Sequence, residues 1–258
     1  PRRRRGRHRA VERSGAAVRA PVTTAPRPPC GPSPGAPLRR ARGRRQGLAT
    51  VPKLITEFIG TFFLVFTIAM TAVYGGAGDF APLALGAGLM AMVYARGHAS
   101  GAHYNPAVTL SAVLRGVTTT ADAAGYVGVQ FAGAVAASLA ARSVHPHAAV
   151  MALVHDPARS IIVELLFTFA LAYVVLHVAT AQATADIADF DLAIGFVVVA
   201  GAYAAGGISG GAFNPAVAVA LSILGVSAWP SIWIYLVAQM AGAVAAAYVF
   251  RWTHPGEA

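Results

Sequence analysis

The chain has 258 residues, 56% of them hydrophobic and 12% charged, with a formal net charge of +10 and a positive mean hydropathy. Soluble domains carry roughly 25% charged residues, so this composition excludes an ordinary water-soluble globule and points to a protein that spans a membrane. The positive charge is confined: fourteen of the twenty Lys and Arg lie in residues 1–50 against one acidic residue, Glu12, while the remainder holds six basic and nine acidic residues.

Residues 1–50 contain eight prolines and the clusters at 2–5, 39–40 and 44–45, too little apolar surface to fold alone, and read as a disordered basic tail. Clustered arginines beside a span attract anionic headgroups or nucleic acid. The preferred reading is plainer, an over-extended gene reading or a topogenic tail, with no nucleic-acid partner. The basic residues at 39–45 followed by Lys53 place the N-terminus in the cytoplasm. The twin arginines are followed by polar or Pro-rich residues, so no signal peptide is supported. Cys30 is the single cysteine, which leaves no disulfide or Cys-based metal site within the chain.

From there the sequence predicts a membrane-spanning body at 51–251, made of two repeats, 53–141 and 159–251, and a short C-terminal tail at 252–258. The first apolar span covers 54–74, about the twenty residues a bilayer core requires. A turn at 75–79 leads to a second span at 80–95. Then comes Gly101-Ala102-His103-Tyr104-Asn105-Pro106-Ala107, in which Asn caps the free amides of a first turn and Pro takes the first helical position, where its missing N–H has no partner to lose. That short helix ends near 115–116. A third span covers 121–141, and a polar connection follows at 142–159 with His145, His147 and His155. The second half offers spans at 160–180, 192–205 and 229–250, with Gly210-Gly211-Ala212-Phe213-Asn214-Pro215-Ala216 opening a second short helix to about 224.

The halves repeat in the same order. Glu57, Asn105 and the Gln130-x-x-Gly133 stretch answer Glu164, Asn214 and Gln239-x-x-Gly242. Three spans per half is an odd number, so the second half enters the membrane from the opposite side and the short helices approach one another. About ten residues at 1.5 Å each give roughly 15 Å, half the hydrocarbon thickness, which brings both N-termini to the midplane. Non-helical backbone at that depth must be buried in protein or line an aqueous cavity, so 97–104 and 206–213 are expected to line a pore. Two facing helix N-termini repel cations, and the amides of Asn105 and Asn214 add donors for the oxygen of a neutral solute.

On these motifs the chain resembles the aquaporin, or major intrinsic protein, family over nearly all of 53–251. The resemblance rests on the paired Asn-Pro-Ala triplets, the Glu-x-x-x-Thr-Phe openings of spans one and four, the Ser-Gly pairs before each triplet and the Gln-x-x-Gly stretches. It implies an all-α membrane protein of six transmembrane helices and two re-entrant half-helices in an inverted repeat. It further implies passive permeation by water or small neutral solutes, no cofactor and a homotetramer in the cell membrane with both termini cytoplasmic. The family's filter positions fall here on Leu85, Ala202, Gly211 and Val217. The usual Arg after the second triplet is replaced by Val217, and the His of water-selective members by Ala202. A wider, apolar constriction is therefore expected, open to solutes of the glycerol, urea, ammonia or peroxide class, although an apolar ring also resists wetting.

Glu57 and Glu164 sit inside apolar spans, where an ionisable group calls for a role; a proton relay competes with the preferred structural role of holding the re-entrant backbone. His103 is read as fixing its loop, and His98 as a solvated residue or a pH-dependent gate. The three histidines of the 142–159 connection are too loosely spaced for a persuasive metal site. Gly133 with Ala137 and Gly242 with Ala246 are small residues four apart that let helices approach closely. No phosphate loop, nucleophile triad or accessible acid–base pair is present, so an enzyme is not expected; a secondary transporter or a non-conducting membrane protein is the rival.

Overall fold

The computed structural model describes residues 51–185 and 190–257; the basic tail and Cys30 lie outside the described residues. Among the described residues eight α-helices follow one another: α1 (Val51–Ile68), α2 (Ala81–Ser100), α3 (Pro106–Arg115), α4 (Thr120–Val144), α5 (Pro157–Thr180), α6 (Phe190–Ser209), α7 (Pro215–Leu224) and α8 (Ile232–Thr253). There is no strand among the described residues. Six of the helices are long and apolar enough to cross a bilayer, α1 being lengthened by a π-helical turn at Ala69–Val73, and α3 and α7 are the short pair of ten residues each.

Three boundaries differ from the sequence expectation. Spans two and five were expected to end near 95 and 205, leaving Gly97 and Gly206 in open loops, but α2 and α6 run on to Ser100 and Ser209. Away from water, backbone groups have no solvent partner and glycine stays helical. The chain turns only at Gly101 and Gly210, with φ of 92° and 85°, a left-handed conformation that suits glycine. The expected C-terminal tail likewise begins inside α8, which extends to Thr253.

The core is built where backbones touch. A Cβ on Gly133 of α4 would lie 2.7 Å from Phe58 O of α1, and one on Gly242 of α8 would lie 2.5 Å from Leu165 O of α5. Gly86 of α2 and Gly195 of α6 meet reciprocally, each Cβ position falling about 3 Å from the other's carbonyl oxygen. With no hydrophobic drive between helices in lipid, such close packing of small residues is what holds the bundle.

The half-helices point in opposite directions. The C-terminal end of α3 meets the α5–α6 connection and the C-terminus, because Arg115 and the Gln182 backbone both bond to Glu257. The end of α7 meets the other face, where Leu153 N of the α4–α5 connection donates to Val226 O. These are opposite ends of α5, so α3 and α7 enter from opposite sides and their N-termini meet between.

Candidate functional site

Each half-helix starts with the same device. Asn105 Oδ1 accepts from the amides of Ala107 and Val108 at 2.8 and 3.4 Å, and Asn214 Oδ1 accepts from Ala216 at 2.9 Å. Pro106 and Pro215 occupy the first helical positions, Ala107 and Ala216 the second, and all four are buried. The amide nitrogens then cross over: Asn105 Nδ2 donates to Phe213 O at 2.9 Å and Asn214 Nδ2 donates to Tyr104 O at 2.8 Å. A side-chain amide carries two N–H groups, so each Asn retains one after bracing the opposite loop.

The loops behind these caps hang from two carboxylates. Glu57, fully buried, accepts from Ser100 Oγ (2.6 Å), His103 N (3.0 Å), Tyr104 N (2.7 Å) and Gln130 Nε2 (2.9 Å). Glu164, also fully buried, accepts from Ser209 Oγ (2.6 Å), Ala212 N (3.0 Å), Phe213 N (2.8 Å) and Gln239 Nε2 (2.8 Å). Four donors converge on each carboxylate at equivalent positions of the two halves. This compensation makes the burial of the group affordable and holds Tyr104 and Phe213 at φ of 48° each, a conformation rare outside glycine.

The two halves diverge at His103. His103 Nδ1 lies 3.1 Å from Thr109 Oγ1, its ring set edge-on to Tyr126 at 5.3 Å, whereas the matching loop position holds Ala212 and the matching helix position Ala218. Sequence reasoning passed over a further pair: Tyr126 OH donates to Ser100 O at 2.9 Å, and Tyr235 OH donates to Ser209 O. The two tyrosines stand 109 residues apart, as do Asn105 and Asn214, so the repeat spacing itself was the available signal.

A cavity of about 390 Å³ runs past the meeting point. Asn105, Asn214 and His103 line it, together with Leu85, Ala202, Gly211 and Val217. Gly211 is held at φ 62°, and a Cβ there would fall 3.5 Å from Ala202 Cα. Leu85 and Val217 are buried side chains facing the same space. Of the segments expected to line a pore, 102–105 and 210–214 do so with Gly206, while 97–100 are helical and do not. Val150 and Met151 of the α4–α5 connection close the wall at one mouth.

Other candidate residues stand apart. His98 lies in the last turn of α2. His145 packs on Tyr74 at 4.6 Å, and His155 Nε2 lies 2.9 Å from Ser227 Oγ. Among the described residues no three His, Cys, Asp or Glu side chains gather to hold a metal ion.

The sequence matches the family model described as major intrinsic protein over residues 44–250. The chain belongs to that family. It is 38% identical over 208 residues to aquaporin NIP1-4 of Oryza sativa subsp. japonica, covering 76% of this chain and 75% of the relative. It is 35% identical over 211 residues to glycerol uptake facilitator protein-like 6 of Lactiplantibacillus plantarum, covering 77% of this chain and 96% of the relative. The X-ray structure of the aquaglyceroporin from Plasmodium falciparum superposes with a TM-score of 0.65 at 21% identity, over 78% of this chain and 95% of that one; it shares the fold. The chain is thus an integral membrane protein of the aquaporin family, a family of channels.

Proposed function

We propose that this chain is a passive channel for water and small uncharged solutes of the glycerol, urea, ammonia or peroxide class. In this reading Leu85, Ala202, Gly211 and Val217 form its filter and no covalent chemistry takes place. The observation that carries the reading is the composition of the cavity: both motif asparagines and all four filter residues line it, and no Asp, Glu, Lys or Arg does so among the described residues. A neutral solute crosses such a wall by exchanging hydration for the free N–H of Asn105 and Asn214. A cation meets the positive ends of two helices and no counter-charge. With Val217 where Arg is usual, size selection relaxes and no fixed charge stands at the constriction. The likeness to a relative named as a glycerol uptake facilitator supports solutes larger than water. The family resemblance supports a homotetramer in the cell membrane, and the basic residues near the N-terminus support cytoplasmic termini.

Stopped-flow light scattering of proteoliposomes carrying the full chain tests this. Fast shrinkage in sucrose, rapid reswelling in glycerol or urea and flux linear in the gradient are expected, and Val217→Arg should suppress reswelling while leaving water flow. Shrinkage without reswelling would overturn the wide filter; saturating flux would mean a transporter, and permeability equal to empty vesicles a non-conducting protein.

A further inference from the structure

A second cavity, of about 460 Å³, lies outside the pore, between α3, α4 and α8. One end is made of matched positions of the two repeats, Pro106 with Pro215, Val127 with Leu236 and Phe131 with Met240. That end therefore sits on the midplane where the half-helices meet. From there the groove extends to one side only, along α3 to Thr120 near the start of α4, with Ala123 and Ala124 as its wall.

The repeat itself supplies the comparison. At the positions that match Thr120, Ala123 and Ala124, the second half carries Trp229, Ile232 and Trp233, the two tryptophans about half exposed, at 54% and 50%. Large side chains in one half thus answer small ones in the other, and beside α3 the small ones leave a hollow. An open groove of this size leaves its lining short of contacts on one side unless something lies in it.

Chemistry and length identify the occupant. The midplane end has no unpaired donor: the two prolines have no N–H, and Thr109 Oγ1 donates to Asn105 O at 3.0 Å and receives Gln130 Nε2 at 3.1 Å; the Thr120 hydroxyl stands at the far end, towards the headgroups. Water would find few partners there, whereas hydrocarbon requires none. The groove follows α3, ten residues long, so its length is about 15 Å, the depth of one leaflet. We propose that it is a binding site for one acyl chain of a phospholipid from the leaflet that α3 spans, lying against the half-helix that carries Asn105. The volume falls within the range of about 300–1,000 Å³ common to ligand sites. At the same level Lys53 is paired with Asp122 at 3.3 Å, so the site selects a chain rather than an anionic headgroup.

Native mass spectrometry of the full chain, delipidated in detergent and titrated with dioleoylphosphatidylcholine, tests the assignment. One tightly held lipid per subunit is expected, unaffected by an excess of chain-free glycerophosphocholine. Ala123→Ile with Ala124→Trp, the residues at the matching positions of α8, should weaken that binding at least tenfold. Trp229→Thr with Trp233→Ala should create a second site. Water permeability in proteoliposomes reports that each variant folds. No lipid held by the wild type, equal binding by the filled variant, or no second lipid in the emptied variant each overturns the proposal. So does a filled variant that changes oligomeric state with lipid binding intact, because a second copy of the chain would then be the occupant.

Discussion

At Glu164 four donors meet two oxygens, and every one of them belongs to a group that shapes the second re-entrant loop or α8. Glu164→Gln turns one of those oxygens into a donor and leaves at least one buried N–H facing another. Each such orphan costs about 1–3 kcal/mol, and the thermal unfolding midpoint in detergent should fall accordingly, whereas unchanged stability would remove the structural role from this carboxylate. His155 gives a pH-dependent effect. Its Nε2 lies 2.9 Å from Ser227 Oγ and 3.3 Å from Tyr235 OH, while Nδ1 is buried without a partner. Burial pushes the His155 pKa below its ordinary 6.5. The neighbouring Asp156 is engaged with Arg159 at 3.4 Å. A lowered folded pKa means that stability is complete above the unfolded value and is lost as pH falls through 6.5 and then the folded value. The melting temperature should drop between pH 8 and 5, and His155→Gln should flatten that profile; an equal slope in the variant would assign it to other groups. The carboxylates and asparagines were legible because a charge or an Asn-Pro pair in an apolar run stands out and recurs. Tyr126 and Tyr235 were not, since a tyrosine in a span draws no attention until its hydroxyl is seen on a carbonyl.

Among the elements, the crossings of α1 with α4 and α5 with α8 depend on single missing side chains. Gly242→Ala would drive its Cβ to 2.5 Å from Leu165 O, backbone that yields only by separating the helices. A loss of about 1–3 kcal/mol is expected, measured as unfolding in mixed micelles. Gly128→Ala in α4, with nothing within 4 Å of the new Cβ, should instead be neutral or gain up to about 1 kcal/mol of helix propensity. Equal effects at both sites would mean that close approach does not hold the bundle. The spans were legible from length and hydropathy, and the half-helices from their caps. The ends of α2 and α6 were not, because glycine breaks helices in water and continues them where no water competes for the backbone.

For the molecule as a whole, the odd number of spans per half made the opposed entry of α3 and α7 readable before any coordinates. A pore past the meeting point was readable as well, but the groove beside α3 was not, since the volume enclosed depends on which faces are left unfilled, and Thr120, Ala123 and Ala124 look like any other helix-packing residues in one dimension. The positions Leu85, Ala202, Gly211 and Val217 were legible only through the family resemblance; one by one they are unremarkable, and the structure adds that they line one shared space. The crossed amides carry a consequence for biosynthesis. Asn105 reaches a carbonyl at residue 213 and Asn214 one at residue 104, so the first half leaves the ribosome with its loop suspended from Glu57 but unbraced at the tip. Its partner arrives a hundred residues later. The first half must therefore wait in the bilayer as an unfinished piece, and the passage through the membrane comes into being only when the second loop closes on it.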